Sequence, residues 1–476
     1  MTTTPNPDGK LSTREKISYG FGDFASCLYW KSISDFLSIF YTDVLGITAA
    51  AAGTLQGVSR SFDAIFDIII GMLGDRTKSR WGKFRPYLLF TCLPMSAVGV
   101  LTFMVPDFDA KGRLIWAYVT YNALMLIYTT INIPYTAMLG VLTPNTTERA
   151  TLSSYKFIGA FGGGIVIAAC LMNMTKVGGW LNASTPAQGW FWSFVIVGVV
   201  SALSFLLVFF NTKERVQPPK SQQTSVVKDL GDLFTNGPWW ILLATTITFI
   251  FFCSLRGSVE TYYFKYYVGP QTLFGHTYTW ESLVSIFKTS NQALSLVGAF
   301  FVPFIVRRIG GKPTFVLLFT IAIIATASFA LLKPDQIWAI LGVNLLGSIT
   351  GGPLSALMAA MYADTADYAE WKTGRRATGL VFSASIFAQK FGWGWGGAIS
   401  LIMLNSVGFV ANQAQTPETL HGLVRLMSVY PACFGILAIL ILVILYPLNE
   451  TKMAQIASDL QARRASEAAA CETGQP

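Results

Sequence analysis

The sequence predicts an all-α polytopic membrane protein of twelve transmembrane helices, arranged as two pseudo-symmetric six-helix bundles. Three observations carry that prediction. The 476 residues are 53% hydrophobic and only 12% charged, roughly half the charged share of an ordinary soluble domain. Apolar stretches recur along the chain, each near the ~20 residues needed to cross a hydrocarbon core about 30 Å thick. Motifs of the first half return in the second at spacings of 219 to 228 residues.

Hydropathy and turn signals place the spans near 17–42, 50–74, 87–105, 114–142, 152–174, 191–211, 239–266, 282–306, 313–332, 337–362, 380–404 and 422–447. The connections on one side hold Arg76, Lys78, Arg80, Lys83 and Arg85; then Lys213, Arg215, Lys220 and Lys228; then Arg307, Arg308 and Lys312; then Lys372, Arg375 and Arg376. The other side offers Lys111, Arg113, Lys176 and Lys333. The positive-inside rule then puts both termini in the cytoplasm. This placement explains the net charge of +9 without a nucleic-acid partner. The expected surroundings are a lipid bilayer and the expected state is a monomer.

Residues 1–15 are polar and lack the apolar stretch of a signal peptide. The domain plan is a cytoplasmic segment 1–16, a bundle 17–211, a Pro-containing cytoplasmic linker 212–238, a second bundle 239–447 and a cytoplasmic tail 448–476. The six cysteines are scattered and form no CxxC, so they read as small packing residues. With only His276 and His421 in the chain, a histidine-based metal or catalytic site has no support. Neither an enzyme nor a resident cofactor is expected.

The repeat is carried by short matches. "RWGKFRPYLLF" after span two matches "RIGGKPTFVLLF" after span eight, and "RAT" stands at Arg149 and again at Arg376. "IPYTAM" in span four matches "GPLSAL" in span ten, aligning Pro134 with Pro353. Parallel six-span repeats with binding near the midplane describe a rocking transporter of the major facilitator type.

Charged residues inside such spans need a reason, because each costs several kcal/mol, about 2.5 or more, unless paired or facing water. In "RSFDAIFDIIIG", Arg60, Asp63 and Asp67 fall on one helix face. One reading is an Arg60–Asp63 pair that locks helices together, which leaves Asp67 without a local partner. The other is a coupling-ion site, since two carboxylates a turn apart supply hard oxygen ligands or hold a proton. The repeat maps Arg60, Asp63 and Asp67 onto Lys288, Asn291 and Ser295, so only the first half carries acids there.

Lys31 and Asp35 in span one, and Arg256 and Glu260 in span seven, are basic-then-acidic pairs at i, i+4. Each pair can neutralise itself. The alternative is an outer gate in which Lys31 meets Glu260 or Arg256 meets Asp35. In spans five and eleven, Lys156 precedes "GAFGGG" and Lys390 precedes "GWGWGG". The glycines permit close helix approach, and the lysines can reach a central cavity. Tyr29, Trp30, Tyr128, Trp393 and Trp395 can stack on a sugar ring or serve as packing. In span four, Thr129 and Asn132 before Pro134 present polar groups either to the cavity or to a neighbouring helix.

"KISYGFGDF", "RSFDAIFDIIIG", "SRWGKFRPYLLF", "TTINIPY", "YADTADYAEWKTG" and "NQAQTPETLHG" together resemble the glycoside–pentoside–hexuronide:cation symporter family, from about residue 16 to 450. The chain's end is most similar to the glucuronide-carrier branch. The resemblance implies co-transport of H+ or Na+ at Asp63 and Asp67, with Thr129 assisting. It implies sugar contact by Lys156 and a position near the cation site for Lys390. It also implies a gate at Asp364, Asp367 and Glu370, close to the basic loop after span two. Arg60, Tyr128 and Trp393 complete the expected substrate surface.

Where the melibiose permease carries acidic sugar ligands, this chain has Cys27 and Asn132. With Lys31 one turn from Cys27, the cavity becomes more cationic, which suits an acidic sugar such as a glucuronide. Phe66 and Ile68 beside the carboxylates would make a drier setting that favours protonation. The principal expectation is cation-coupled sugar import by alternating access; the alternative is a lysolipid or other amphiphile transporter of the same fold.

Overall fold

The computed structural model describes residues 11–77, 79–143, 146–179, 181–215, 235–373 and 378–473. Most of the expected linker, with Lys220 and Lys228, lies outside the described residues, as do Lys78, Arg375 and Arg376. The side chain of Ile68 lies outside them as well.

The first six helices are α1 (Thr13–Ile39), α2 (Ala49–Arg76), α3 (Arg85–Thr102), α4 (Ala110–Leu142), α5 (Thr146–Thr175) and α6 (Pro186–Asn211). The next are α7 (Gly237–Tyr262), α8 (Trp280–Ile309) and α9 (Gly311–Ser328). The tenth predicted span is split into α10 (Ile337–Gly351) and α11 (Leu354–Thr373); α12 (Thr378–Ser406) is the eleventh. The twelfth is divided between α13 (Pro417–Met427) and α14 (Val429–Leu440), and α15 (Glu450–Thr473) forms the tail. A small antiparallel hairpin, β1 (Gln271–Leu273) with β2 (His276–Tyr278), joins α7 to α8 in the register Gln271↔Tyr278.

Local chemistry sets the ends. Ser12 and Glu15 form a capping box before α1, satisfying donors that a helix start leaves free. Asp109 accepts from the Gly112 N–H at 2.8 Å to open α4. Pro134 stays inside α4, whereas the aligned Pro353 separates α10 from α11. The difference lies in what precedes each proline. Gly351 and Gly352 stand before Pro353, and a Cβ on Gly352 would come within 2.5 Å of Ser295. Two residues of low helix propensity followed by a missing N–H end the helix there.

Eight membrane-length stretches among the described helices are apolar enough to cross a bilayer, including both divided spans read through their breaks. Outside that set, α1 and α2 interrupt their apolar runs with Lys31, Asp35, Arg60, Asp63 and Asp67. In the arrangement of the helices, α2 runs along α12, α5 along α8, and α1 meets α7. Exchanging the two six-span repeats maps the first two pairings onto each other and the third onto itself. The face that holds the start of α1 and the tail is called here the terminal face. On the opposite face one apolar cluster is shared by both halves, joining Phe40 and Tyr41 to Tyr262, Tyr263, Phe264 and Phe409.

Helices α1 and α5 approach until backbone touches backbone. A Cβ on Gly159 would lie 2.0 Å from the Gly20 carbonyl oxygen. Gly159→Leu should therefore force the pair apart and leave little folded protein in the membrane, which a detergent thermal-shift assay of the purified variant would check.

Candidate functional site

Two polar clusters lie where the halves meet. The first joins Asp63 and Asp67 of α2, Thr129 of α4 and Lys390 of α12. Thr129 Oγ1 stands 2.8 Å from Asp63 Oδ1 and 3.2 Å from Asp67 Oδ1. The Lys390 ammonium is 3.3 Å from Asp63 Oδ2 and also pairs with Asp67 Oδ2. The spacing of the acids on α2 aims both carboxylates the same way, and α12 delivers the cation from the other half. Such an arrangement lowers the cost of burying two acids together, and it places a positive charge among carboxylate oxygens and a hydroxyl.

Arg60 does not pair with Asp63. Its guanidinium instead lies over the Trp30 ring, 4.5 Å from the centroid, and its Nη1 is buried without a hydrogen-bond partner among the described residues. Gly394 makes room for this, since a Cβ there would sit 2.5 Å from Arg60 Cβ. Phe66 turns outward and is 38% exposed, so it does not enclose the acids.

The second cluster holds five charges. Lys31 pairs with Asp35 at 2.9 Å and Arg256 Nε with Glu260 at 3.3 Å, both within one helix. Among the described residues, neither Lys31 with Glu260 nor Arg256 with Asp35 forms an ion pair. Lys288 of α8 joins the halves instead, at 2.8 Å from Glu260 and 3.9 Å from Asp35. Arg256 is fixed further by Asn344 at 2.8 Å and Thr326 at 3.3 Å. These charges line a cavity of about 340 Å³ together with Asn291, Gln292, Ser295 and Trp393.

The remaining expected residues are distributed as follows. Tyr128 stacks on Trp30 with ring centroids 6.0 Å apart. Asn132 accepts from Ser26 Oγ at 3.3 Å, a helix-to-helix hydrogen bond. Cys27 is half-buried on α1. Lys156 lies 4.0 Å from Asp23 and 5.7 Å from the Tyr135 ring centroid. Tyr29 is wholly buried, packed where a Gly99 Cβ would be, so it is core and not cavity wall. Trp395 donates to Ser61 at 3.3 Å in a separate narrow groove with Phe387 and Phe391.

Asp364, Asp367 and Glu370 lie on α11, whose end packs against α15. Trp371 Nε1 donates to Asp459 at 2.9 Å, and Arg463 reaches the Glu370 carbonyl at 3.5 Å. The loop after α2 is held by Glu214 of the connection after α6. Glu214 accepts from the backbone N–H groups of Lys83, Phe84 and Arg85 at 2.7, 2.8 and 2.9 Å.

Three residues not expected at a site carry contacts of this kind: Lys288 belongs to the second cluster, Asp23 lies beside Lys156, and Glu214 holds the loop after α2. A signal existed for Lys288, which is where the repeat maps Arg60. Asn291 and Ser295, the mapped counterparts of the two aspartates, line the same cavity.

A family model described as MFS/sugar transport protein matches residues 18–450. The chain belongs to that family. This family member is therefore a multi-pass membrane transporter. It is 36% identical over 463 residues to the isoprimeverose transporter of Lactiplantibacillus pentosus, covering 95% of this chain and 92% of that relative. It is 34% identical over 452 residues to the inner membrane symporter YicJ of Escherichia coli K12, covering 90% of this chain and 91% of the relative. Among solved structures, the transporter superposes on a bacterial homologue of the lysosomal transporter Spinster with a TM-score of 0.64 at 15% identity, covering 93% of this chain and 97% of the other. That likeness is one of fold.

Proposed function

We propose that the transporter carries a sugar inward together with a cation, by alternating access between its two halves. The observation that carries this reading is the meeting of Asp63, Asp67 and Thr129 around the Lys390 ammonium. These oxygens suit Na+ or H+, and Lys390 holds the place of that charge while the cation is away. A cation arriving from solution displaces the ammonium, which frees α12 from α2. Coupling follows because α12 also brings Trp393 to the sugar cavity. By linkage, sugar and cation each raise the other's affinity by the same factor. The relatives' names, a sugar transporter and a symporter, support this reading.

The cavity's charges favour an anionic sugar. Lys31, Arg256 and Lys288 outnumber Asp35 and Glu260 by one, and Lys31 is the most accessible of them, its side chain 27% exposed. The basic residues of the terminal face make that face cytoplasmic. Uptake into vesicles of a labelled glucuronide and a labelled neutral glycoside, with Na+ and pH gradients imposed separately, tests the reading; no stimulation by either gradient would overturn it. Lys31→Ala should cut glucuronide uptake about ten-fold or more while sparing the neutral glycoside, the size of one lost charge-assisted hydrogen bond. Equal losses for both sugars would remove the anionic preference.

A further inference from the structure

Helices α1 and α7 both finish, on the face opposite the termini, in a π-helical turn: Phe40–Val44 and Tyr263–Val268. Such turns are rare and concentrate at functional positions. These two converge on one acid. The Asp43 side chain is 3% exposed. Its carboxylate pairs with the Lys265 ammonium and accepts from the Tyr266 hydroxyl, both of the other half. Its carbonyl oxygen accepts from Asn412 Nδ2 at 2.7 Å.

Asn412, at φ 59°, lies in the connection between α12 and α13. It accepts from Lys265 at 2.9 Å, and its own N–H donates to the Tyr266 oxygen at 2.9 Å. One residue of the first half is thus held by three residues, on two segments, of the second.

We propose that Asp43, Lys265, Tyr266 and Asn412 form the outer latch of the transport cycle, shut while the central cavity serves the terminal face and released when sugar enters from outside. The proposal rests on the alternating-access reading above. Its physical basis is the balance of a buried ion pair. Desolvation nearly cancels the attraction between the two charges, so when the halves part and water reaches them the change in free energy is small. An apolar seam of the same size would lose its whole burial energy on opening. Water is already at hand, because a cavity of about 420 Å³ lined by Asp43, Lys265, Trp280 and Asn412 lies against the latch. The second tier, Lys288 between Glu260 and Asp35, lies deeper along the same joint.

The test uses a full-length protein with its native cysteines replaced and one cysteine introduced as Ser34→Cys, a position lining the central cavity. A membrane-impermeant maleimide is applied to intact cells and, separately, to inside-out vesicles. Asp43→Asn and Lys265→Met should each speed labelling from outside about ten-fold, a shift of about 1.4 kcal/mol, and slow it from inside. Combining them should do no more than either alone, because they remove the same contact. Unchanged rates, faster labelling from both sides, or additive effects would each overturn the latch. Labelling needs no sugar, so its outcome is separate from that of the gradient experiment, on which the transport reading stands.

Discussion

Asp67→Asn should leave a protein that still binds sugar and equilibrates it across the membrane but no longer accumulates it. The carboxylate contributes a formal charge and two oxygens, Oδ1 facing Thr129 and Oδ2 facing Lys390. Loss of a charge-assisted contact of this kind costs about 1.5–3 kcal/mol, a drop in cation affinity of roughly 10- to 150-fold. The amide cannot take up a proton at all, so coupling fails whichever cation is used. In proteoliposomes the measurement is the ratio of internal to external sugar under an imposed gradient. Wild type should exceed unity and the variant should settle at it. Accumulation by the variant would show that the coupling cation binds elsewhere. Asp63→Asn should behave in the same way, because Asp63 is bonded to the same hydroxyl and ammonium.

Lys288→Met should be the most damaging single change in the second cluster. Lys288 is buried and lies within 2.8 Å of Glu260 and 3.9 Å of Asp35. Its removal leaves two buried acids with one cation each, and it cuts one of the ionic links between the halves. Breaking one partner out of such a pair costs about 3–5 kcal/mol in dry surroundings; the adjoining cavity admits water and puts the cost at the low end. The expected results are a melting temperature several degrees lower in detergent and the loss of uptake. Lys288→Met combined with Glu260→Gln should recover most of the stability without the transport, since it removes the stranded charge but not the need for the link. If the single variant melts and transports like wild type, Lys288 is not what joins the two halves at this level.

The comparison of the two clusters shows what could be read from the residues alone. Asp63 and Asp67 were legible because a helical face is a matter of spacing, and acids in an apolar run need a partner wherever the helix packs; Thr129 joined them only through the family resemblance. Spacing alone did not identify the partner; the family resemblance placed Lys390 near the acids, and the fold pairs it with both. Lys390 is far from Asp67 in the chain, and its proximity depends on α12 lying along α2. Similarly, the pairs Lys31–Asp35 and Arg256–Glu260 follow from i, i+4 geometry within one helix. The bridge by Lys288 depends on how α8 sits against α1 and α7. Arg60 makes the same point in reverse: its neighbour by spacing is Asp63, yet the packing of Gly394 and Trp30 gives it an aromatic face instead.

The glycines of α5 and α12 divide along this line too. Their clustering signals close approach, but only the fold says against what: Gly159 meets the Gly20 backbone and Gly394 meets the Arg60 side chain. Sequence by itself determined the helical membrane class, the repeat and the acid pair of the candidate cation site, because hydropathy, internal matching and helical periodicity are local or additive properties of the chain. The tertiary structure alone decided that Lys288 ties Asp35 to Glu260 and that Asp43 is clasped by Lys265, Tyr266 and Asn412. Each of these contacts joins segments far apart in the chain, and a Coulomb attraction acts through distance in space, which no spacing in the sequence encodes.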